Sequence, residues 1–212
     1  MGRIKPRRSK SRRVEEPPII AFFDEEGDVA ELIVKGWRFK VPEVPIRLLR
    51  DVKLKEIPEG AYVVPIERVE GDIVYTIDLC SFGFCEVYLY RDRACLEVMS
   101  RGKGWEFEIG IKPFMNMFVK SLKAVGNETK LIKNIEHDVD GDYHFVYFTV
   151  PLNPEMTIGQ AIDMLKRLFN RIDEEMEKKI AEFYEERLAA WRRYFRAKRA
   201  QAKRRARRGG RR

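Results

Sequence analysis

The chain of 212 residues is 44% hydrophobic, which suffices for one domain with a buried core plus extensions and excludes a wholly disordered protein. No apolar run approaches the roughly 18 residues of a membrane-spanning helix, and the amino-terminal residues lack the apolar stretch of a secretory signal, so we expect an intracellular protein, in the cytoplasm, the nucleoid or a virion. The net charge of +8 conceals two strongly basic ends and an acidic middle.

Residues 1–18 predict a disordered basic arm. The first 13 residues hold seven Lys and Arg and no acid, and the arm ends at Pro17-Pro18 without any apolar periodicity. A segment of one charge sign repels itself and orders only against a polyanion. The arm residues that we expect to contact phosphate are Arg3, Lys5, Arg7, Arg8, Lys10, Arg12 and Arg13.

Residues 19–156 predict an antiparallel sheet domain of short strands. Stretches rich in β-branched and aromatic residues alternate with turns that contain Gly, Asp and Ser. One helix is predicted at 113–125, starting at Pro113 and stopped by Gly126. The predicted strands are Ile19–Phe23, Val29–Lys35, Trp37–Val41, Tyr62–Val69, Ile73–Leu79, Glu86–Tyr90, Cys95–Met99, Trp105–Ile111, Leu131–Asp138 and Tyr143–Val150, the last two joined at Asp140-Gly141.

Residues 157–206 predict one very long helix. Thr157 and Gln160 have the spacing of a capping box, and apolar residues then recur at steps of mostly three and four from Ile158 to Phe195. Such a helix would be about 75 Å long, more than a small domain can cover. We therefore expect its first half, to Phe183, to pack on the sheet and its second half to project or to meet another chain. The fold class is α+β: an antiparallel sheet, one short helix and one very long C-terminal helix.

The end of this helix carries the strongest functional signal. Residues 187–212 hold thirteen Lys and Arg and no acid, and the last six of them, 207–212, predict a disordered basic tail. Removing both ends from the total of 42 bases leaves 22 against all 34 acids, so the middle of the chain carries a charge of about −12. The expected phosphate contacts are Arg192, Arg193, Arg196, Lys198, Arg199, Lys203, Arg204, Arg205, Arg207 and Arg208.

The leading hypothesis is a non-enzymatic protein that binds or packages DNA or RNA through its two basic extensions. Ala, Arg, Lys and Gln are good helix formers, and phosphates would relieve the repulsion among the bases. No zinc-finger, RNA-recognition or KH signature is present, so we expect weak sequence selectivity. If about ten of the charges met phosphates, log K would fall with log salt at a slope of about −9. Trp191 and Tyr194 would stack on bases or pack against protein.

A second hypothesis is a structural protein that assembles through the long helix. Residues 173–186 hold seven acids and two Lys, whereas residues 187–205 hold bases alone. Two antiparallel copies would set acidic against basic stretches, so a homo-oligomer through this helix is the alternative partner.

A third and weaker hypothesis is a metal-dependent nuclease that uses Asp138, Asp140 and Asp142. The spacing does not match a calcium loop, and Asp-Gly is a common hairpin turn. We expect no catalytic residue, metal, cofactor, membrane or small-molecule substrate.

The cysteines leave two alternatives open. Cys80 and Cys85 bound a four-residue turn, which is not the usual spacing of a zinc site. The sequence is 36% charged with only seven Asn and Gln, a bias typical of hyperthermophiles, whose interiors tolerate disulfides. A Cys80–Cys85 disulfide is one alternative, and buried thiols are the favoured one.

Overall fold

The computed structural model describes residues 17–81, 83–100 and 109–209, with side chains as far as residue 200. In these described ranges ten strands form three small sheets. The first contains β1 (Ile19–Phe23), β2 (Val29–Val34) and β3 (Trp37–Phe39) in that order. The second contains β4 (Glu43–Pro45), β5 (Val64–Glu70) and β6 (Ile73–Thr76), and the third contains β7 (Phe84–Leu89), β8 (Arg93–Met99), β9 (Lys133–Asp140) and β10 (Tyr143–Pro151), in the order β7-β8-β10-β9.

The four-stranded sheet has one buried and one partly exposed face. Along β8 and β10 every second side chain, from Ala94 to Val98 and from Val146 to Val150, is buried in the core. The residues between them, such as Glu97 and Tyr147, point to the opposite face and remain partly exposed. This alternation is what a sheet covered on one side requires.

Four helical segments with defined bounds accompany the sheets within the described residues. A single turn, α1 (Ile46–Leu49), and a 3-10 turn (Leu54–Glu56) follow β4. Helix α2 (Ile111–Thr129) buries an apolar face that includes Phe114, Phe118 and Leu122. Helix α3 (Ile158–Gly209) has 52 residues, which corresponds to about 78 Å. No helix among the described residues is both long and apolar enough to cross a membrane.

The start of α3 is fixed by a capping box and by close backbone contact. The Gln160 backbone N–H donates to the Thr157 hydroxyl oxygen at 3.2 Å, and the Thr157 backbone N–H donates to the Gln160 side-chain oxygen at 2.9 Å. The next two backbone N–H groups donate to carbonyl oxygens outside the helix: Ile158 to Val52 at 2.8 Å and Gly159 to Arg50 at 3.1 Å. The first turn is therefore seated on the segment that follows α1.

The first half of α3 contributes heavily to the single hydrophobic core. Its apolar side chains lie against α2 and β10, where the Phe169 ring centre is 6.0 Å from that of Phe148. Its buried residues are Ile158, Ala161, Ile162, Leu165, Leu168, Phe169, Ile172, Met176 and Ile180. Burial of this face confirms the expectation that the first half packs on its own domain.

The α+β class, the hairpins and the capping box are confirmed, with corrections in detail. The strands divide among three sheets, and β4, which was not predicted, pairs in parallel with β5 although Pro42 precedes it and Pro45 is its last residue. Ile111 begins α2 instead of ending a strand, and the rest of the predicted strand 105–111 is mostly outside the described residues. At the other end α3 continues to Gly209, three residues beyond the predicted 206.

The predicted end of the short helix was wrong. Helix α2 begins two residues before Pro113, which is tolerated in a first turn, and passes through Gly126 to end at Thr129, with Lys130 as its C-cap at a φ of 61°. A Cβ on Gly126 would lie 3.1 Å from the Cβ of Ile132. The glycine therefore serves close packing against the following strand and does not cap the helix.

We expect Gly159→Ala to destabilise the protein, although Gly→Ala within a helix is ordinarily stabilising by about 1 kcal/mol. An added Cβ would lie 2.8 Å from the backbone oxygen of Arg50, a contact that only a backbone shift can relieve. The free energy of unfolding, measured in urea, should fall by about 1–3 kcal/mol. Asn170→Ala, at an exposed site of the same helix, is the control and should lose nothing. A more stable G159A variant would contradict this seating of α3.

Candidate nucleic-acid interface

Helix α3 leaves the body of the protein after Tyr184. Ile180 is its last buried residue, and Phe183 and Tyr184 are half-buried against the core. Every side chain from Glu185 to Ala200 is exposed. The 25 residues from Glu185 to Gly209 therefore form a projecting arm, about 37 Å long at 1.5 Å per residue.

One side of this projecting arm is basic. At 100° per residue, Arg192, Arg193, Arg196 and Arg199 fall within a sector of about 120°, which we call the basic face. Within the described residues, no Asp or Glu forms a salt bridge with any of these four arginines. A row of guanidinium groups without anionic partners is suited to binding phosphate oxygens.

An adjacent side of the projecting arm is apolar. Leu188, Trp191, Tyr194 and Phe195 occupy another sector of about 120° and are between 45% and 60% exposed; we call them the aromatic stripe. The ring centres of Trp191 and Phe195 lie 5.6 Å apart. The Lys198 ammonium group lies 5.9 Å from the centre of the Tyr194 ring, so this lysine belongs to the stripe and not to the basic face.

The part of α3 that precedes the projecting arm is acidic. Glu174, Glu177, Glu182, Glu185 and Glu186 are all exposed. Only a small share of this charge is compensated locally, since Glu175 pairs with Lys178 at 3.4 Å and with Lys179 at 3.0 Å. The helix thus changes sign between residues 186 and 187, just where it leaves the body.

Of the remaining predicted phosphate contacts, the structure describes only the backbone of those on α3. The backbone of 203–208 is helical, which places Lys203, Arg204, Arg205, Arg207 and Arg208 on the same arm, while their side chains are not described. The predicted contacts of the amino-terminal arm lie outside the described residues. They are Arg3, Lys5, Arg7, Arg8, Lys10, Arg12 and Arg13.

The exposed face of the four-stranded sheet is acidic and aromatic. Glu86 pairs directly with Glu97, Glu97 with Tyr147, and Tyr147 with Glu136, so three carboxylates share one row across four strands. Beside this row is an open cavity of about 550 Å³. Its lining includes Asp28, Tyr62, Tyr88, Tyr90, Glu97, Glu136 and Tyr147.

The environment of Glu97 on this face disfavours its charged form. Partial burial, and then the charge of the facing Glu86, raises the pKa of Glu97 above its ordinary value. The Tyr88 hydroxyl donates to a Glu86 carboxylate oxygen at 2.5 Å; burial and this hydrogen bond raise the pKa of Tyr88. Anionic charge here repels phosphate, so the strand aromatics are poorly placed to stack on nucleic-acid bases.

The sequence indicates which residues of each strand face outward, but not which strands lie side by side in this surface. The alternation of Glu86, Tyr88 and Glu97 with buried Val, Leu and Ala indicates one outward face on each strand. The pairing of strands β7 and β8 with β10, which brings Glu136 and Tyr147 into the same row, depends on long-range register and has no local signal.

The cysteine and aspartate candidates gather no metal site. Cys80 and Cys85 are buried thiols with no disulfide between them, and burial chiefly raises the pKa of Cys85. Asp138 and Asp140 lie on β9 at the sheet edge, and Asp142 is in the exposed turn that follows. Among residues 17–81, 83–100 and 109–209 there is no group of three or more His, Cys, Asp or Glu that could hold a metal ion.

We expect Glu97→Gln to stabilise the protein at neutral pH, by up to about 1 kcal/mol for a like-charge cross-strand pair. A carboxyl group whose pKa is raised by folding costs stability once it ionises, and costs nothing below its unfolded pKa of about 4.3. The urea midpoint of E97Q should exceed that of the parent at pH 7, and the difference should vanish below about pH 4. Glu25→Gln, in the exposed turn after β1, should show no gain at either pH. A pH-independent gain at residue 97 would argue against the electrostatic cause.

Comparison of the chain with protein-family models, with curated proteins and with solved structures found no match, so the geometry of the projecting arm and of the sheet face carries the functional argument.

Proposed function

We propose that this chain is a non-enzymatic nucleic-acid-binding or packaging protein, acting in the cytoplasm, the nucleoid or a virion. In this proposal the basic half of α3 and the amino-terminal basic arm hold the phosphate backbone of DNA or RNA. The observation that carries it is the projecting basic face, where Arg192, Arg193, Arg196 and Arg199 are exposed and lack described carboxylate partners.

The chemistry of the basic face suits phosphate. Arginine presents a planar fork of N–H donors that matches two phosphate oxygens, and it remains protonated at every physiological pH. The four arginines share one side of a helix, and a helix of this diameter fits the major groove of B-form DNA. Arginine-rich helices also bind structured RNA, where phosphate contacts relieve repulsion among the side chains.

The acidic body and the basic projecting arm would together place a bound nucleic acid at the arm. Residues 14–186 carry about −12, and the sheet face with Glu86, Glu97 and Glu136 adds a local concentration of carboxylates. Phosphate is therefore repelled by the body and attracted to the projecting arm. The arm is rigidly continuous with the buried half of α3, so a bound nucleic acid would be held at a fixed offset from the domain.

Sequence selectivity should be weak, because backbone phosphates carry no direct sequence information. Arginine and lysine contacts of this kind release counterions, which makes affinity fall steeply with salt. The measurable signature of the function is thus a steep salt dependence combined with similar affinity for unrelated sequences of equal length.

The first test replaces Arg192, Arg193, Arg196 and Arg199 together by Gln. Each lost contact with B-DNA phosphate should flatten the slope of log K against log salt by about 0.9, so we expect a decrease of about 3–4 in its magnitude. Binding of short DNA and RNA duplexes and single strands is measured by fluorescence anisotropy between low and physiological salt.

The matched control removes the same charge from the body: Lys120, Lys123, Lys166 and Arg167, all exposed, are replaced by Gln. Its slope should remain that of the parent. Equal losses in the two variants would reduce the effect to net charge, and an unchanged slope in the α3 variant would overturn the proposed function.

A second test concerns the amino-terminal arm. Replacing Arg7, Arg8, Arg12 and Arg13 by Gln should also flatten the salt slope, and combining it with the α3 variant should give roughly additive losses, because the two extensions are separate in sequence. If the variant of the amino-terminal arm binds nucleic acid like the parent over the same salt range, this arm does not contribute to binding.

A further inference from the structure

The aromatic stripe is an apolar surface that the fold leaves uncovered. Leu188 is 56% exposed, Trp191 57%, Tyr194 60% and Phe195 45%, and all four lie on the projecting arm beyond the last contact with the core. Phosphate binding by the basic face uses none of these side chains. Large apolar side chains that are contiguous and exposed on a helix mark a protein contact more often than isolated ones do.

The stripe continues the apolar face of the buried half of α3. Phe183 and Tyr184 are half-buried at the edge of the core, and Leu188, Trp191 and Phe195 follow at steps of four, three and four from Tyr184. An open surface bounded by Tyr184, Arg187, Leu188 and Trp191 exposes almost only apolar atoms. A helix that is apolar along one side for this length is typical of helix–helix packing.

We infer that the projecting arm pairs with the same segment of a second copy of this chain, the two helices running antiparallel about a twofold axis near Trp191. In this register Leu188 of one copy lies beside Phe195 of the other. The two stripes then cover each other, while the basic face of each helix, centred about 140° away, stays open to solvent and to phosphate.

Charge complementarity selects a second copy and sets the direction of the pair. In this register the acidic segment that contains Glu182, Glu185 and Glu186 lies alongside residues 197–201 of the other helix; these glutamates point away from the stripe, so the attraction is between oppositely charged segments and not between paired side chains. A parallel pair would instead set Arg187 and Lys198, whose angular positions fall within the sector of the stripe, against their own counterparts, and these like charges repel one another. The acidic segment and the basic segment of α3 are thus complementary only in the antiparallel arrangement.

The area involved suits an assembly that depends on concentration. Aromatic side chains bury about 150–250 Å² each, so four large, half-exposed side chains from each copy would cover on the order of 1,000 Å² in total. This lies at the lower end of stable protein interfaces. The inference extends beyond nucleic-acid binding: it concerns different side chains and predicts association in the absence of any nucleic acid.

The test measures molar mass of nuclease-treated full-length protein by light scattering and sedimentation over a range of concentrations. The parent should approach twice the 25.1 kDa mass of the chain as concentration rises. Replacing Leu188, Trp191 and Phe195 together by Gln should weaken association at least about tenfold. Because these side chains are exposed in the single copy, the variant should fold normally, which circular dichroism checks.

The matched control introduces three glutamines on the side of the same helix that faces away from the stripe, at Ala189, Ala197 and Ala200. It should dimerise like the parent. A parent that remains at the mass of one chain throughout, or a control that is as weak as the stripe variant, would overturn the inference. Salt-titrated nucleic-acid binding of the stripe variant is measured separately, so that failure of the dimer and failure of phosphate binding are distinguished.

Cross-linking tests the direction of the pair. Under oxidation, Trp191→Cys should link to its own counterpart near the axis, and mass spectrometry separates this link from the thiols of Cys80, Cys85 and Cys95. Leu188→Cys should link efficiently to Phe195→Cys in a mixture and poorly to itself. Efficient self-linkage of Leu188→Cys would indicate parallel helices and contradict the antiparallel pair.

Discussion

The packing of the first half of α3 against α2 and β10 is the constraint on which the rest of the structure depends. Side chains from Ile158 to Ile180 complete the core, and the backbone contacts of Ile158 and Gly159 with the segment after α1 fix where the helix begins. Since a helix is stiff over this length, anchoring one half determines where the other half points. The basic face therefore has a defined position relative to the domain, although it makes no contact with it.

Electrostatics divides the molecule at the same place. The body carries charge that repels phosphate, both overall and in the row of Glu86, Glu97 and Glu136 on the exposed sheet face. Burial first, and then the like charge of the facing Glu86, raises the pKa of Glu97 in that row. A body of this sign would keep a polyanion at the extensions. The acidic segment 173–186 of a second copy is the anionic surface that would compete with the polyanion for the basic half of α3.

The two faces of the projecting arm have compatible chemistry. A stripe containing Trp191 and Phe195 suits apolar contact, whereas the arginines beside it suit the proposed phosphate contact. Pairing of two stripes would place two basic faces on one rod and double the number of phosphate contacts per particle. Binding by two linked sites raises apparent affinity without any new type of contact, because the second contact becomes intramolecular.

The sequence by itself determined the α+β class, the hairpins and the span of α3, because the period of apolar residues, the Thr157–Gln160 capping box and the turn at Asp140-Gly141 are local signals. It also located the basic residues of α3, since charge is a property of composition. Only the tertiary structure decided that the strands form three sheets, that Gly126 serves packing, that Glu86, Glu97, Tyr147 and Glu136 form one row, and that burial along α3 ends at Tyr184. These features depend on which distant segments meet, and a buried apolar residue and an exposed one are identical in the sequence until the partner that covers one of them is known.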